Sequence, residues 1–279
     1  MSLDKELLEL AIKEDIGDGD HSSLSCIPND AEGKARLLIK ENGVLAGVQV
    51  AVEVFKRYDE NLEVELILKD GDTVNKGDIG LFVSGKKQSI LAAERVVLNL
   101  MQRMSGIATQ VRSIMKLVEG TNVKILDTRK TTPGLRWFEK KAVEIGGGTN
   151  HRFGLYDMIM LKDNHIDYAG GIPMAISKAK SYLTEKGKDI PIEVETRNLD
   201  EVKLVLENGP VDRIMLDNFT PDEIRVALKV INGTVETEAS GGITKETVRA
   251  YAETGVNYIS MGALTHSAKS MDISLKAVN

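Results

Sequence analysis

Between Ile125 and His165 the chain reads ILDTRKTTPGLRWFEKKAVEIGGGTNHRFGLYDMIMLKDNH, with basic and small polar residues gathered where apolar runs end. The window holds seven Lys and Arg (Arg129, Lys130, Arg136, Lys140, Lys141, Arg152, Lys162) against five Asp and Glu (Asp127, Glu139, Glu144, Asp157, Asp163), in a chain of formal net charge -6. Two of the four histidines, His151 and His165, also fall here. The glycines beside them let a ligand approach the backbone closely. An arginine fork grips a carboxylate through two parallel hydrogen bonds, and a lysine offers phosphate a point charge. Arg129 with Lys130, and His151 with Arg152, therefore point to a pocket for a small polyanion. Lys130 or Lys162 could instead form a Schiff base, but so many neighbouring cations suit a polyanionic ligand better.

Two further stretches carry chemistry. EASGGIT and SMGALTHS place small residues and free backbone amides at Ser240, Gly241, Gly242 and Gly262, a composition that suits a phosphate. Tight turns would call for the same glycines, and finding both stretches near the chain's end favours phosphate. Glu195 and Asp217 each close an apolar run. Two carboxylates near lysines and phosphate-binding turns fit a magnesium ion shared with a pyrophosphate, because that ion prefers oxygen ligands and keeps part of its water.

The elements that must position these residues form a regular series after residue 120. VKILD, DMIMLK, IPIEVE, VDRIMLD, TVETEAS and VNYISMG read as buried parallel strands. From Lys162 onward their ends, Glu195, Asp217, Ser240 and Gly262, fall 33, 22, 23 and 22 residues apart. Spacings near 22 suit a strand, a loop and one helix. LDEVKLVLEN and PDEIRVALKV are the linking helices, with Asn198 and Thr220 as caps. Alternating strands and helices predict a parallel sheet, doubly wound or closed as a barrel. Six strands, with room for another around Ile145 to Arg152, suggest a barrel of about seven. A barrel would gather Arg129, Lys130, His151, Arg152, Lys162, Glu195, Asp217 and the turn after Ser240 at one mouth.

The first hundred residues read differently. Leu3, Leu7, Leu8, Ala11 and Ile12 predict an amphipathic helix ending before Gly17. EDIGDGDHSS superficially resembles a calcium-binding loop, but its acidic spacing is wrong and a plain turn is the better reading. ARLLIKENGVLAGV predicts a strand pair, AVEVFKRYD a short helix, and LEVELILKDGDTVNKGDIGLFVSG two strands joined by turn residues. A long helical pattern from Gln88 to Val118 joins the halves, with Gly106 as a break and Glu94 beside Arg95 as a solvated ion pair. Domain limits follow at 1–105, 106–270 and a tail, 271–279, that packs back on the first domain.

Composition limits the choice. At 42% hydrophobic the chain is an ordinary globular protein. Its net acidity argues against general nucleic-acid binding. Cys26, the only cysteine, cannot close an internal disulfide and reads as a semi-buried thiol. Charged residues among the first leucines exclude a signal-peptide core, no apolar run reaches membrane-spanning length, and a cytoplasmic location is the expectation. The DGDTVNKGD hairpin resembles those of biotinyl and lipoyl carriers, yet no lysine sits at a modification tip.

DTRKTTPGLR, GGGTNHRFGLYDMIMLKDNH, EVET, IMLDNF, EASGGIT and GVNYISMGALTHS together resemble the quinolinate phosphoribosyltransferase family, and the resemblance runs through EDIGDGD, GVLAGV, DGDTVNKGD and AAERVVLNLMQRMSGIAT as well. It implies an α/β chain: an N-terminal open-faced sandwich followed by an incomplete barrel of the type II phosphoribosyltransferase kind. It implies the decarboxylating synthesis of nicotinate mononucleotide from quinolinate and phosphoribosyl pyrophosphate, with magnesium and no organic cofactor. By the same resemblance Arg129, His151, Arg152 and Lys162 would line the quinolinate pocket, joined by Arg95 from a neighbouring subunit of a dimer or hexamer. Lys130, Lys162, Glu195 and Asp217 would face phosphoribosyl pyrophosphate and its metal as the catalytic set, and Ser240, Gly241, Gly242 and Gly262 would hold the 5-phosphate. One departure is small: HSS follows GDGD where many relatives have threonine. Nicotinate phosphoribosyltransferase and a molybdenum-transport-associated paralogue share the barrel, although a nicotinate enzyme pairs only one carboxylate. A non-catalytic phosphate sensor would not need the paired acids.

Overall fold

The computed structural model describes residues 5–278. The chain divides into two compact units: one holds the residues through Arg112, Thr131–Gly147 and the chain from Leu264 on, the other Ser113–Lys130 and Gly148–Ala263.

In the first unit, α1 (Lys5–Ile16) opens the described chain and buries Leu8. The acidic loop that follows is more than a turn. Asp20 accepts hydrogen bonds from the Ser22 and Ser23 amides and caps a short helix, α2 (His21–Cys26). Cys26 is exposed rather than semi-buried.

The predicted strand pair is also corrected. β1 (Glu32–Ile39) and β2 (Gly43–Val44) do not pair with each other. Instead β2 pairs with β4 (Thr73–Val74), beyond α3 (Val48–Tyr58) and β3 (Glu63–Leu66). The partners of β1 are β5 (Ile79–Lys86) and, from the far end of the chain, β12 (Ile273–Val278), both antiparallel. With β3 on β5, the sheet order is β12-β1-β5-β3. Alternation along β1 buries Ala35, Leu37 and Ile39 on one face, the pattern of a sheet covered on one side.

The long helical pattern becomes one helix, α4 (Lys87–Leu117), with no break at Gly106. Ala93, Val97, Met101, Met104, Ala108 and Val111 follow one another at intervals of three and four and are all buried. Fully burying each of the larger side chains contributes about 1.5–3 kcal/mol. Gly106 answers to packing: a Cβ there would collide with the Lys269 carbonyl. Helix α5 (Arg136–Gly146) also belongs to this unit, so the basic window is divided between the two units. Buried Glu139 of α5 pairs with Arg103 of α4 at 2.8 Å and accepts from the Thr132 amide and hydroxyl.

The second unit is a six-stranded parallel sheet. Its strands in chain order are β6 (Lys124–Leu126), β7 (Ile159–Leu161), β8 (Ile192–Thr196), β9 (Arg213–Asp217), β10 (Glu236–Ser240) and β11 (Tyr258–Ser260). In space they run β6-β11-β10-β9-β8-β7, and among the described residues no pairing joins β6 to β7. The barrel is therefore incomplete. The seventh strand sought between Ile145 and Arg152 reduces to one parallel bridge, Leu126 to Thr149. Three successive glycines and polar residues give that stretch nothing to pack on a pleated surface.

The intervening helices are α6 (Asp163–Ala169), α7 (Ile172–Lys186), α8 (Leu199–Asn208), α9 (Pro221–Ile231) and α10 (Val248–Ala252), and after β11 a short helix, α11 (Ala263–His266), leads from the second unit into the first. Asn198 caps α8 by accepting from the Glu201 amide, and Thr220 with Glu223 forms a capping box on α9. Among the described residues no helix is long and apolar enough to cross a membrane.

Candidate active site

Parallel strands present all their C-terminal ends at one edge. In the second unit Arg129 and Lys130 follow β6, Lys162 follows β7, Glu195 is the penultimate residue of β8, Asp217 and Ser240 close β9 and β10, and Gly262 follows β11. Asp217 and Ser240 are direct partners across β9 and β10. His151 and Arg152 are brought in beside β6, where buried Asp127 accepts a hydrogen bond from the His151 amide at 2.8 Å. Arg95 belongs to the other unit, exposed on α4 next to half-buried Glu94, whose carboxyl is raised by burial.

One part of this edge is cationic. The Arg152 guanidinium is half-buried and donates to the Met158 carbonyl at 3.1 Å. Burial and the charge of Arg129 both weaken its hold on its proton, so the two guanidiniums repel across the site. Among the described residues the buried Nε of Arg129 also finds no hydrogen-bond acceptor. An unmet buried donor beside a second guanidinium is costly unless an anion arrives.

Another part is acidic. The Glu195 carboxyl is raised, first by burial and then by the Asp217 carboxylate, with the Lys162 ammonium pulling the other way. Asp217 is held by its neighbour: the Asn218 side-chain amide donates to it at 2.6 Å, and the Asn218 backbone amide donates to the Ser240 carbonyl at 2.8 Å. Asn218 adopts a left-handed backbone, φ 59°, to do both. Gly241 lies against it with φ 96°, and a Cβ there would stand 2.8 Å from the Asn218 backbone nitrogen. Only glycine fits so close an approach.

Beneath these groups lies a charged layer that sequence patterning did not reveal. Residues two apart share a strand face. Below Glu195, Glu193 is fully buried, and so is Glu238 below Ser240. His151 stands between them, with Nε2 at 3.1 Å from Glu193 and 3.2 Å from Glu238, while its Nδ1 accepts from the Arg152 amide at 2.6 Å. The ring expected to line the pocket is thus engaged by protein groups at both nitrogens and only 8% of the residue is exposed. Arg213 reaches the same carboxylates, at 3.1 Å from Glu238 and 4.0 Å from Glu193, and stacks 3.8 Å from the Tyr258 ring centre. A signal did exist in the sequence. Glu193 and Glu195, like Glu236 and Glu238, alternate within runs otherwise read as buried, and a buried carboxylate has to find a cation.

Burial alone would strip His151 of its proton, but the two carboxylates outweigh it and raise the group to about 9. Glu193 is also raised, by its own burial and by the charge of Glu238, and because His151 Nδ1 accepts the Arg152 amide the extra proton is shared between Nε2 and these carboxylates. Because the folded value lies above the unfolded value of 6.5, this proton's stabilisation is complete below pH 6.5 and is lost as pH rises through about 9. The shift corresponds to at most ~3 kcal/mol. Melting temperature is expected to fall across that window, by roughly 2–4 °C per kcal/mol. A flat profile from pH 6.5 to 9.5 would show that the cluster holds no extra proton.

Comparison with known proteins places this geometry. Residues 20–105 match the family model described as quinolinate phosphoribosyl transferase, N-terminal domain, and residues 107–276 match its C-terminal domain. The chain is 49% identical to the nicotinate-nucleotide pyrophosphorylase (carboxylating), chloroplastic, of Arabidopsis thaliana, over 98% of this chain and 82% of that protein. It is 48% identical to quinolinate phosphoribosyltransferase (decarboxylating) 1b of Nicotiana tabacum, over 98% and 81%. Among solved structures, NadC from Streptococcus pyogenes superposes with a TM-score of 0.93 at 38% identity, covering all of both chains.

Proposed function

The chain belongs to the quinolinate phosphoribosyl transferase family, and on that premise we propose that it transfers the phosphoribosyl group of phosphoribosyl pyrophosphate to quinolinate with decarboxylation, yielding nicotinate mononucleotide, pyrophosphate and carbon dioxide for NAD biosynthesis. One observation carries the reading: guanidiniums that repel each other, one with an unmet buried donor, share a strand-end edge with carboxylates that also repel each other. The first pair suits the two carboxylates of quinolinate; the second suits a sugar that becomes cationic and a bound metal.

Magnesium fits the acidic pair, because Glu195 and Asp217 end adjacent strands, the charge of Asp217 raises the Glu195 carboxyl, and that repulsion falls when a cation binds them both. When bound there it would neutralise charge on the departing pyrophosphate. The protein's own groups do the rest. Lys130 and Lys162 offset the negative charge of the leaving group, while Glu195 and Asp217 orient the ribose hydroxyls and oppose the positive charge at C1. Backbone amides around Ser240, Gly241, Gly242 and Gly262 hold the 5-phosphate. Arg129 and Arg152 hold quinolinate with its ring nitrogen toward C1. Ribosylation makes that nitrogen cationic. Its positive charge then stabilises the electron pair left on C2 when the adjacent 2-carboxylate departs as carbon dioxide, and that pair takes up a proton. No organic cofactor enters.

The assembly is a dimer or a hexamer in which Arg95 reaches the carboxylate pocket of a neighbouring subunit, and its location is cytoplasmic. Exposure of Arg95 on α4 supports that role.

Purified protein incubated with magnesium, phosphoribosyl pyrophosphate and either quinolinate or nicotinate tests the reading. Nicotinate mononucleotide and labelled carbon dioxide are expected from quinolinate. Product from nicotinate alone would move the activity to the nicotinate enzymes, and unchanged phosphoribosyl pyrophosphate with both acids would leave a binding role.

A further inference from the structure

The buried layer under the strand ends has a price in desolvation. Val, Leu or Ile at Glu193, Glu238 and Arg213 could fill the same volume without burying charge, and such replacements are often neutral or stabilising. The layer therefore calls for a role beyond holding three strands together.

Its connections run toward Arg152. Glu193 and Glu238 lie on β8 and β10, flanking β9, and both converge on one imidazole nitrogen. Arg213 on β9 reaches both carboxylates, at 3.1 Å from Glu238 and 4.0 Å from Glu193. The other imidazole nitrogen accepts the Arg152 amide, and the His151 amide is tied to Asp127. Beyond Arg152 the loop is pinned again, where Asp157 accepts from the Phe153 and Gly154 amides. The backbone that carries the Arg152 guanidinium is thus fixed from both sides. With its ring nitrogens so engaged, His151 is placed to orient its neighbour rather than to grip a ligand. The His151, Glu193 and Glu238 set also has the composition of a metal site. Arg213 and the proton held by the cluster already offset the two carboxylates, which leaves little charge for an ion to neutralise.

We propose that Glu193 and Glu238 are positioning residues that clamp the His151 ring and, through the Arg152 amide bonded to that ring, aim the Arg152 guanidinium at the substrate carboxylate. The identity of that carboxylate, as part of quinolinate, rests on the function proposed above.

Wild-type turnover is measured first; its absence with quinolinate would count against the proposed function and not against the clamp. Glu193→Gln and Glu238→Gln, which keep shape and remove charge, are then compared with Glu236→Gln, which touches Arg213 from the exposed side only. The clamp variants are expected to raise the quinolinate KM roughly tenfold, about 1.4 kcal/mol, while the KM for phosphoribosyl pyrophosphate stays within about twofold. Glu236→Gln is expected to leave both unchanged. Parallel rises in both KM values, or no rise in folded variants, would overturn the proposal.

A second measurement needs no variant. With only four histidines in the chain, 15N-histidine labelling gives a readable spectrum. The His151 ring signals are expected to stay nearly fixed when quinolinate saturates the wild-type protein, and a large shift on binding would mean direct ligation and defeat the positioning role.

Discussion

Arg152→Ala is expected to lower kcat/KM for quinolinate by a hundredfold or more, mainly through KM. In the structure this guanidinium is half-buried, feels the charge of Arg129 and donates to the Met158 carbonyl. Its removal would leave a carboxylate of the bound substrate desolvated and short of a partner, a loss of about 2–5 kcal/mol. The folded protein should tolerate the change, because repulsion from Arg129 disappears with the side chain. Arg152→Lys should recover only part of the loss, since an ammonium cannot form the two-pronged contact. Steady-state kinetics with each substrate varied in turn, beside a melting curve, checks this. A near-normal quinolinate KM would remove Arg152 from the pocket.

Gly241→Ala is expected to fail on the other substrate. Any side chain at φ 96° carries backbone strain of roughly 1–2 kcal/mol. Here the Cβ would also press on the Asn218 backbone, which has little freedom because its amide is bonded to Ser240 and its side chain to Asp217. Relief requires the turn to move, and with it the amides that receive the 5-phosphate. The KM for phosphoribosyl pyrophosphate should rise on the order of thirtyfold or more, from about 2 kcal/mol of lost binding. Gly242→Ala should be milder, because no neighbouring atom lies within 4 Å of its Cβ position and only the φ penalty remains. Equal, small effects at both glycines would show that the close approach to Asn218 does not hold the turn in place.

The second unit was legible in outline because its strands are short apolar runs between helices with clear caps. Six runs became six parallel strands, and Asn198 and Thr220 cap the helices expected of them. Polar residues at the run ends had to share one edge once the strands were parallel, so Glu195, Asp217 and Ser240 came together by topology alone. The first unit was less legible. β1 finds its partners in β5 and β12, which lie far from it in sequence, whereas local turn signals suggested a hairpin with β2. Gly106 reads as a helix break when only propensity is considered, and the Lys269 carbonyl supplies its actual reason. The expected anion window likewise divided, with Glu139 turned inward to Arg103.

The sequence by itself determined the parallel α/β unit, the order of its strands along the chain and the residue types at their ends, because apolar periodicity and caps are local properties. Only the tertiary structure decided which charges neutralise one another. Glu193, Glu238, Arg213 and His151 lie on different elements, as many as 87 residues apart along the chain, and meet within about 4 Å. Their pairing depends on strand register and on the barrel's interior. Coulomb energy in a poorly solvated interior varies steeply with separations that no linear pattern encodes.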